Sequence, residues 1–111
     1  MLSFEDAERI MVHTGTTDMR YGIHGLFALA GCPAEGEIHI FCSCDRRTVK
    51  ILFAEEGCCW LVTKRLTIGH YVWPEKGKDA QIDAAQMFSI LEGTTLRDRI
   101  ESDGKITQRM F

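Results

Sequence analysis

Three β-rich segments follow one another closely: Glu37 to Ser43, Thr48 to Ala54 and Cys58 to Leu66, separated only by Cys44-Asp45-Arg46-Arg47 and Glu55-Glu56-Gly57. Connectors this short leave no room for a crossover helix, so each segment must turn back on the one before it as an antiparallel neighbour. In Val49-Lys50-Ile51-Leu52-Phe53 the residues Val49, Ile51 and Phe53 share one face, which sends Lys50 to the other, toward solvent or a partner. Two shorter segments extend the pattern. Arg9 to Thr14 is rich in β-formers and ends at Thr14-Gly15, and Ile68 to Trp73 reads as a strand ended by Pro74.

Helical periodicity occurs twice. Ile23, Leu26, Phe27 and Ala30 fall at i, i+3, i+4 and i+7, with Thr16, Thr17 or Asp18 placed to cap the first free amides and Gly31 at the position of a left-handed C-cap. Gly22 and Gly25 in this stretch suggest close packing of the helix against a sheet. After a polar loop at 75–81, Asp83 and Gln86 match a capping box, Ile82 and Met87 a hydrophobic staple, and a second helix runs from Ala84 with Met87, Phe88, Ile90 and Leu91 inward and Gly93 as its stop. The fold class is therefore α+β: an antiparallel sheet of four to five strands with two helices packed against it, the first on one face and the second closing an end or the same face. Residues 1–95 form the domain; 96–111, with a Ser102-Asp103-Gly104 turn, form a C-terminal tail or short appended element.

At 111 residues and 45% apolar content the chain can bury a core without disulfides or metals. No apolar run approaches a membrane span and the first residues lack the order of a signal peptide, so a bacterial-type cytoplasmic protein with no membrane partner is the expectation. Five cysteines, an odd count, then read as thiols. The net charge of -3 opposes strong non-specific DNA binding, which is driven by phosphate neutralisation. Residues 41–70 alone are net basic.

Three constellations invite a chemical reading. Cys42 and Cys44 with Cys58 and Cys59 hold four thiols on neighbouring strands, enough in principle for zinc. Strand geometry opposes convergence, because Cys58 and Cys59 point to opposite faces, and small buried thiols are the simpler reading. A cysteine beside one of His13, His24, His39 or His70 has the residue types for nucleophilic catalysis, but no nucleophile elbow, phosphate loop or zinc-protease helix accompanies them. The third is Arg46, Arg47, Lys50, Lys64 and Arg65 near Trp60, His70, Tyr71 and Trp73, types that suit phosphate contact and base stacking. Its simpler reading is solvated turn charges and core aromatics.

Taken in order, Thr17-Asp18-Met19-Arg20-Tyr21-Gly22, Gly25-Leu26, Phe41-Cys42-Ser43, Val49-Lys50-Ile51-Leu52, Lys64-Arg65-Leu66 with Gly69, Val72-Trp73-Pro74 and Leu91-Glu92-Gly93 resemble the protein of the second open reading frame of insertion sequence 66 type elements, called TnpB in that family and unrelated to the RNA-guided nuclease of that name. The resemblance implies a non-catalytic accessory protein for transposition, without a cofactor, that assists the transposase of the same element; its basic residues are then candidates to contact either the terminal-repeat DNA or an acidic surface of that transposase. It draws attention to Asp18, Met19, Arg20, Lys50, Lys64, Arg65 and Trp73. The expected contact set is Arg20, Arg46, Arg47, Lys50, Lys64, Arg65 and Trp73. Three departures from the family pattern stand out: Cys44-Asp45-Arg46-Arg47-Thr48 where an arginine-rich run with an aspartate is usual, Phe53-Ala54-Glu55 after Leu52, and a shortened connection from the first helix to the Glu37 strand. Two rivals remain, a protein-interaction module that docks through a sheet edge or the Trp73-Pro74 region, and a small metal or thiol enzyme built on the cysteines.

Overall fold

The alternation read from the middle of the chain produces its two central strands. The computed structural model describes residues 5–92, and the expected Gly93 stop, the Ser102 turn and the tail lie outside the described residues. The elements are β1 (Arg9–Val12), α1 (Ile23–Leu29), β2 (Glu37–Cys42), β3 (Thr48–Glu55), β4 (Cys58–Arg65), β5 (Ala80–Ile82) and α2 (Ala84–Glu92), with the sheet ordered β4-β3-β2-β1-β5. β2, β3 and β4 form the expected antiparallel meander. β1 instead pairs parallel with β2, because α1 carries the chain back over the sheet between them, so the sheet is mixed, with one parallel pairing among antiparallel ones.

Side-chain alternation along β2 and β3 divides the core in two. Ile38, Ile40 and Cys42 point with Val49, Ile51 and Phe53 to one face, where they meet Met87 and Leu91 of α2 and the buried Leu66, Tyr71 and Trp73. Phe41 and Leu52 point to the other and are covered by Leu26 of α1. The helices therefore lie on opposite faces, which corrects the expectation that α2 closes an end or shares the face of α1. Strands buried on both sides demand apolar residues at successive positions, and Ile51-Leu52-Phe53-Ala54 supplies them.

Several local expectations are corrected by long-range bonds. No side chain caps α1, which begins at Ile23 after Gly22. The N–H of Thr17 donates to the carbonyl of Cys42 at the end of β2 (2.7 Å), so helix growth waits until that contact is passed. The helix ends as read: Gly31 has φ +79°, its N–H donates to the carbonyl of Ala28, and that of Cys32 donates to Phe27, the two bonds of a Schellman motif. Gly25 is required by Tyr21, whose ring would lie 2.6 Å from an added Cβ; Gly22 faces open space. Neither packs against the sheet as expected.

The segment Ile68 to Trp73 is not a strand. The backbone from Leu66 onward bonds to the β2–β3 turn, through Leu66 N–H to the Arg47 carbonyl and Tyr71 N–H to the Arg46 carbonyl (both 2.7 Å), while Tyr71 and Trp73 plug the core below. β5 forms instead at the end of the expected polar loop, closing the free edge of β1. The capping box of α2 is reciprocal: Gln86 N–H donates to Asp83 Oδ1 (2.8 Å) and Asp83 N–H to Gln86 Oε1 (2.9 Å). Met87 and Leu91 are buried, whereas Phe88 is 47% exposed and does not face inward.

Candidate functional site

The sheet separates charge along its strands. Glu35, Glu55 and Glu56 line a shallow hollow at the end where β3 passes into β4, and Glu8 packs on Gly36 beside it. At the opposite end, roughly 25 Å away along an eight-residue strand, stand the β2–β3 turn with Arg46 and Arg47 and the end of β4 with Lys64 and Arg65.

The turn is built around Asp45. Its carboxylate accepts from the Ser43 hydroxyl (2.6 Å) and the Arg47 N–H (3.1 Å), bonds that hold its pKa below the ordinary value. Arg46 adopts φ +59°, a left-handed conformation that closes the turn, with its N–H on the Ser43 carbonyl. Because the backbone of both arginines is held by the turn and by the 66–71 segment, their guanidinium groups stand on a rigid base, and they make no ion pair among the described residues. Arg65 donates to Thr48 Oγ1 (2.7 Å) and lies 3.7 Å from Asp45. Beside these groups an open depression of about 660 Å³ is lined by Thr16, Thr17, Asp18, Ser43, Asp45 and Arg65.

The other residues of the expected contact set have local partners. Arg20 is highly exposed but forks onto Asp18 (2.6 and 3.0 Å), and its hydrogen bonds hold that carboxyl at about 2. Lys50 donates to the carbonyls of Met19 (2.8 Å) and Tyr21 (2.9 Å), pinning the turn before α1 onto β3. Lys64 donates to the carbonyl of Leu91 (2.8 Å) in the last turn of α2. Trp73 is 4% exposed and its Nε1–H donates to the His13 carbonyl (2.9 Å), so its ring fills core and presents no face for stacking. The arginine end thus gathers Arg46, Arg47 and Arg65, with the Asp18–Arg20 pair across the depression, and leaves Lys50 and Trp73 to the fold.

The cysteines do not converge. Cys42 is buried and its thiol is pushed up to about 11 by burial, whereas Cys44 is exposed in the turn. Cys58 and Cys59 fall on opposite faces of β4, opposite Glu55 and Ala54 of β3 respectively, and desolvation raises both thiols. A raised pKa removes the thiolate that a nucleophile needs. Among the described residues, no three His, Cys, Asp or Glu side chains are grouped to hold a metal ion.

Sequence reading missed a polar chain under the loop before β5. Asp79 Oδ2 lies 2.9 Å from His13 Nδ1, His13 Nε2 lies 2.7 Å from His39 Nδ1, His39 Nε2 lies 3.0 Å from Glu37 Oε1, and Arg9 pairs with Glu37 at 3.0 Å. The His13 ring also stacks on Phe41 at 4.3 Å. Burial lowers the His13 pKa against the pull of Asp79, with His39 adding to the drop. Thr14 N–H donates to Asp79 Oδ1 and its hydroxyl to the Gly77 carbonyl, so the chain fastens the loop to β1. Alternation places His39 on the same face as Phe41, but nothing local signals Asp79.

A model of the family described as IS66 Orf2-like protein matches residues 8–101. The chain belongs to the IS66 Orf2-like family. Its relatives include a Sinorhizobium fredii (strain NBRC 101917 / NGR234) protein named uncharacterized protein y4hO, 33% identical over 96 residues that cover 80% of this chain and 83% of that one. No solved structure matches the chain. For this IS66 Orf2-like chain the match fixes an association with insertion-sequence transposition, and the structure joins segments that carried the resemblance: Lys50 of β3 holds the backbone of Met19 and Tyr21.

Proposed function

We propose that this protein is a non-catalytic accessory factor of insertion-sequence transposition that docks onto an acidic surface of its element's transposase through the arginine end of the sheet. The observation that carries this reading is the pairing of Arg46 and Arg47 on a turn whose backbone is bonded on both sides, which presents two guanidinium groups without an internal ion pair among the described residues. Guanidinium forks match carboxylates bidentately, and a rigid base lowers the entropy lost on contact. Local engagement of Arg20, Lys50 and Lys64 reduces the number of cations left for phosphates. That favours a protein surface over DNA, in line with the net charge of -3.

Contact with the terminal-repeat DNA is the second reading, favoured by the same two arginines and Arg65 beside the open depression. Titrating the full chain against the transposase and against terminal-repeat duplex, each at two salt concentrations, separates the two. Association with the transposase that weakens about tenfold or more in Arg46→Ala/Arg47→Ala supports the proposal. Duplex binding that falls steeply with salt and is lost in the same variant replaces it with the DNA reading. Binding of neither partner, or binding indifferent to the substitutions, removes the arginine end as a contact surface.

A further inference from the structure

β4 is an edge strand of eight residues, and among the described residues no strand pairs with its outer side. Its register with β3 runs through eight consecutive pairs, Thr48 with Arg65 to Glu55 with Cys58, without a bulge, and it contains no proline. Edges are ordinarily blunted by shortness, bulges, proline or central charges; β5 at the other edge is short, but β4 carries its charges only at the end, as Lys64 and Arg65. Its middle instead exposes Trp60 (50%) and Val62 (37%), which share a face.

We propose that β4 pairs antiparallel with β4 of a second copy of this chain, joining two sheets into one continuous sheet across a two-fold axis. The charge layout selects this occupant. β4 begins beside Glu55 and Glu56 and ends at Lys64 and Arg65, so an antiparallel copy sets the basic end of each strand against the acidic turn of the other, twice per dimer. A parallel copy would instead align like charges. The two-fold axis stands perpendicular to the sheet and preserves its faces, so Trp60 meets Val62 or Lys64 of the second copy in the registers centred on Leu61 or Val62. Both registers cover the exposed apolar pair and bring Lys64 near the carboxylate of Glu55, which already accepts the Trp60 Nε1–H (2.6 Å).

The test uses the full chain. Sedimentation equilibrium over a micromolar concentration series should show a monomer–dimer equilibrium that weakens with salt. Val62→Lys, which puts a charge at the centre of the edge and, in the register centred on Val62, sets lysine against lysine, should raise the dimer dissociation constant about tenfold or more with an unchanged circular dichroism spectrum. A short thiol-to-amine cross-linker applied to the wild-type protein supplies a readout that needs no variant. Cys58 and Lys64 are about 20 Å apart along one strand, so a Cys58–Lys64 link reports the antiparallel partner. A chain monomeric throughout, a dimer linked elsewhere, or a β4 edge that engages only the transposase would each overturn the proposal.

Discussion

β3 and β4 are equally long and paired at every position, yet β3 is buried nearly end to end while β4 is exposed along most of its length. The difference lies in neighbours and composition. β3 lies between two strands and beneath α1 on one side and α2 with the 66–73 segment on the other, so Val49, Ile51, Leu52, Phe53 and Ala54 all have apolar surroundings. β4 has one neighbour, and its last residues are polar. One strand holds the fold, and the other leaves most of its side chains open to solvent.

The largest effect that sharpens this contrast is core truncation. Leu52→Ala, at a fully buried position on β3, should cost about 2–5 kcal/mol in denaturant unfolding, whereas Thr63→Ala on β4 should stay within about 0.5 kcal/mol. A comparable loss on both strands would break the comparison. Next in size is Lys50→Met, which leaves the carbonyls of Met19 and Tyr21 without their ammonium donor and should lower stability by about 1–2 kcal/mol; a Lys50 variant of unchanged stability would contradict a structural role for that side chain. Asp83→Ala removes one half of the capping box and should cost about 1 kcal/mol, with amide exchange accelerating first in α2.

Acidification tests the face of α1. The His13 pKa is lowered in the fold from 6.5, so the unfolded chain binds more protons just below that pH, and the stability present above it is lost as pH falls toward the folded value. The melting temperature should drop as the pH is lowered from 7 through 6.5 and below, and His13→Gln should flatten that slope. A slope unchanged by the substitution would place the titration elsewhere. The smallest effect concerns Tyr71, whose buried hydroxyl has no hydrogen-bond partner among the described residues. Tyr71→Phe should be neutral or stabilising by up to about 1 kcal/mol, and a clear destabilisation would reveal a partner for that hydroxyl.

What the sequence made legible was local. Short connectors announced β2, β3 and β4, and the Asp83–Gln86 spacing announced α2 with both capping bonds. Hidden were the features decided by distant parts of the chain. Thr17 is drawn to Cys42 and delays α1; β1 runs parallel to β2 only because α1 crosses over; β5 forms because β1 has a free edge. The same holds at the site. Arg46 and Arg47 were visible as a basic turn, but the carbonyls that bind Lys50 and Lys64 lie 29 to 31 and 27 residues away, beyond any reading of spacing.

The most direct measurement is the transposition frequency of an element whose copy of this chain carries Arg46→Ala/Arg47→Ala, set beside one carrying Cys44→Ser/Cys58→Ser at two exposed thiols, with protein levels matched. A contact role predicts that the arginine variant lowers transposition about tenfold or more while the cysteine variant transposes normally. Normal transposition without the arginines, and loss with the cysteines changed, would contradict it and return the thiols to the centre of the mechanism.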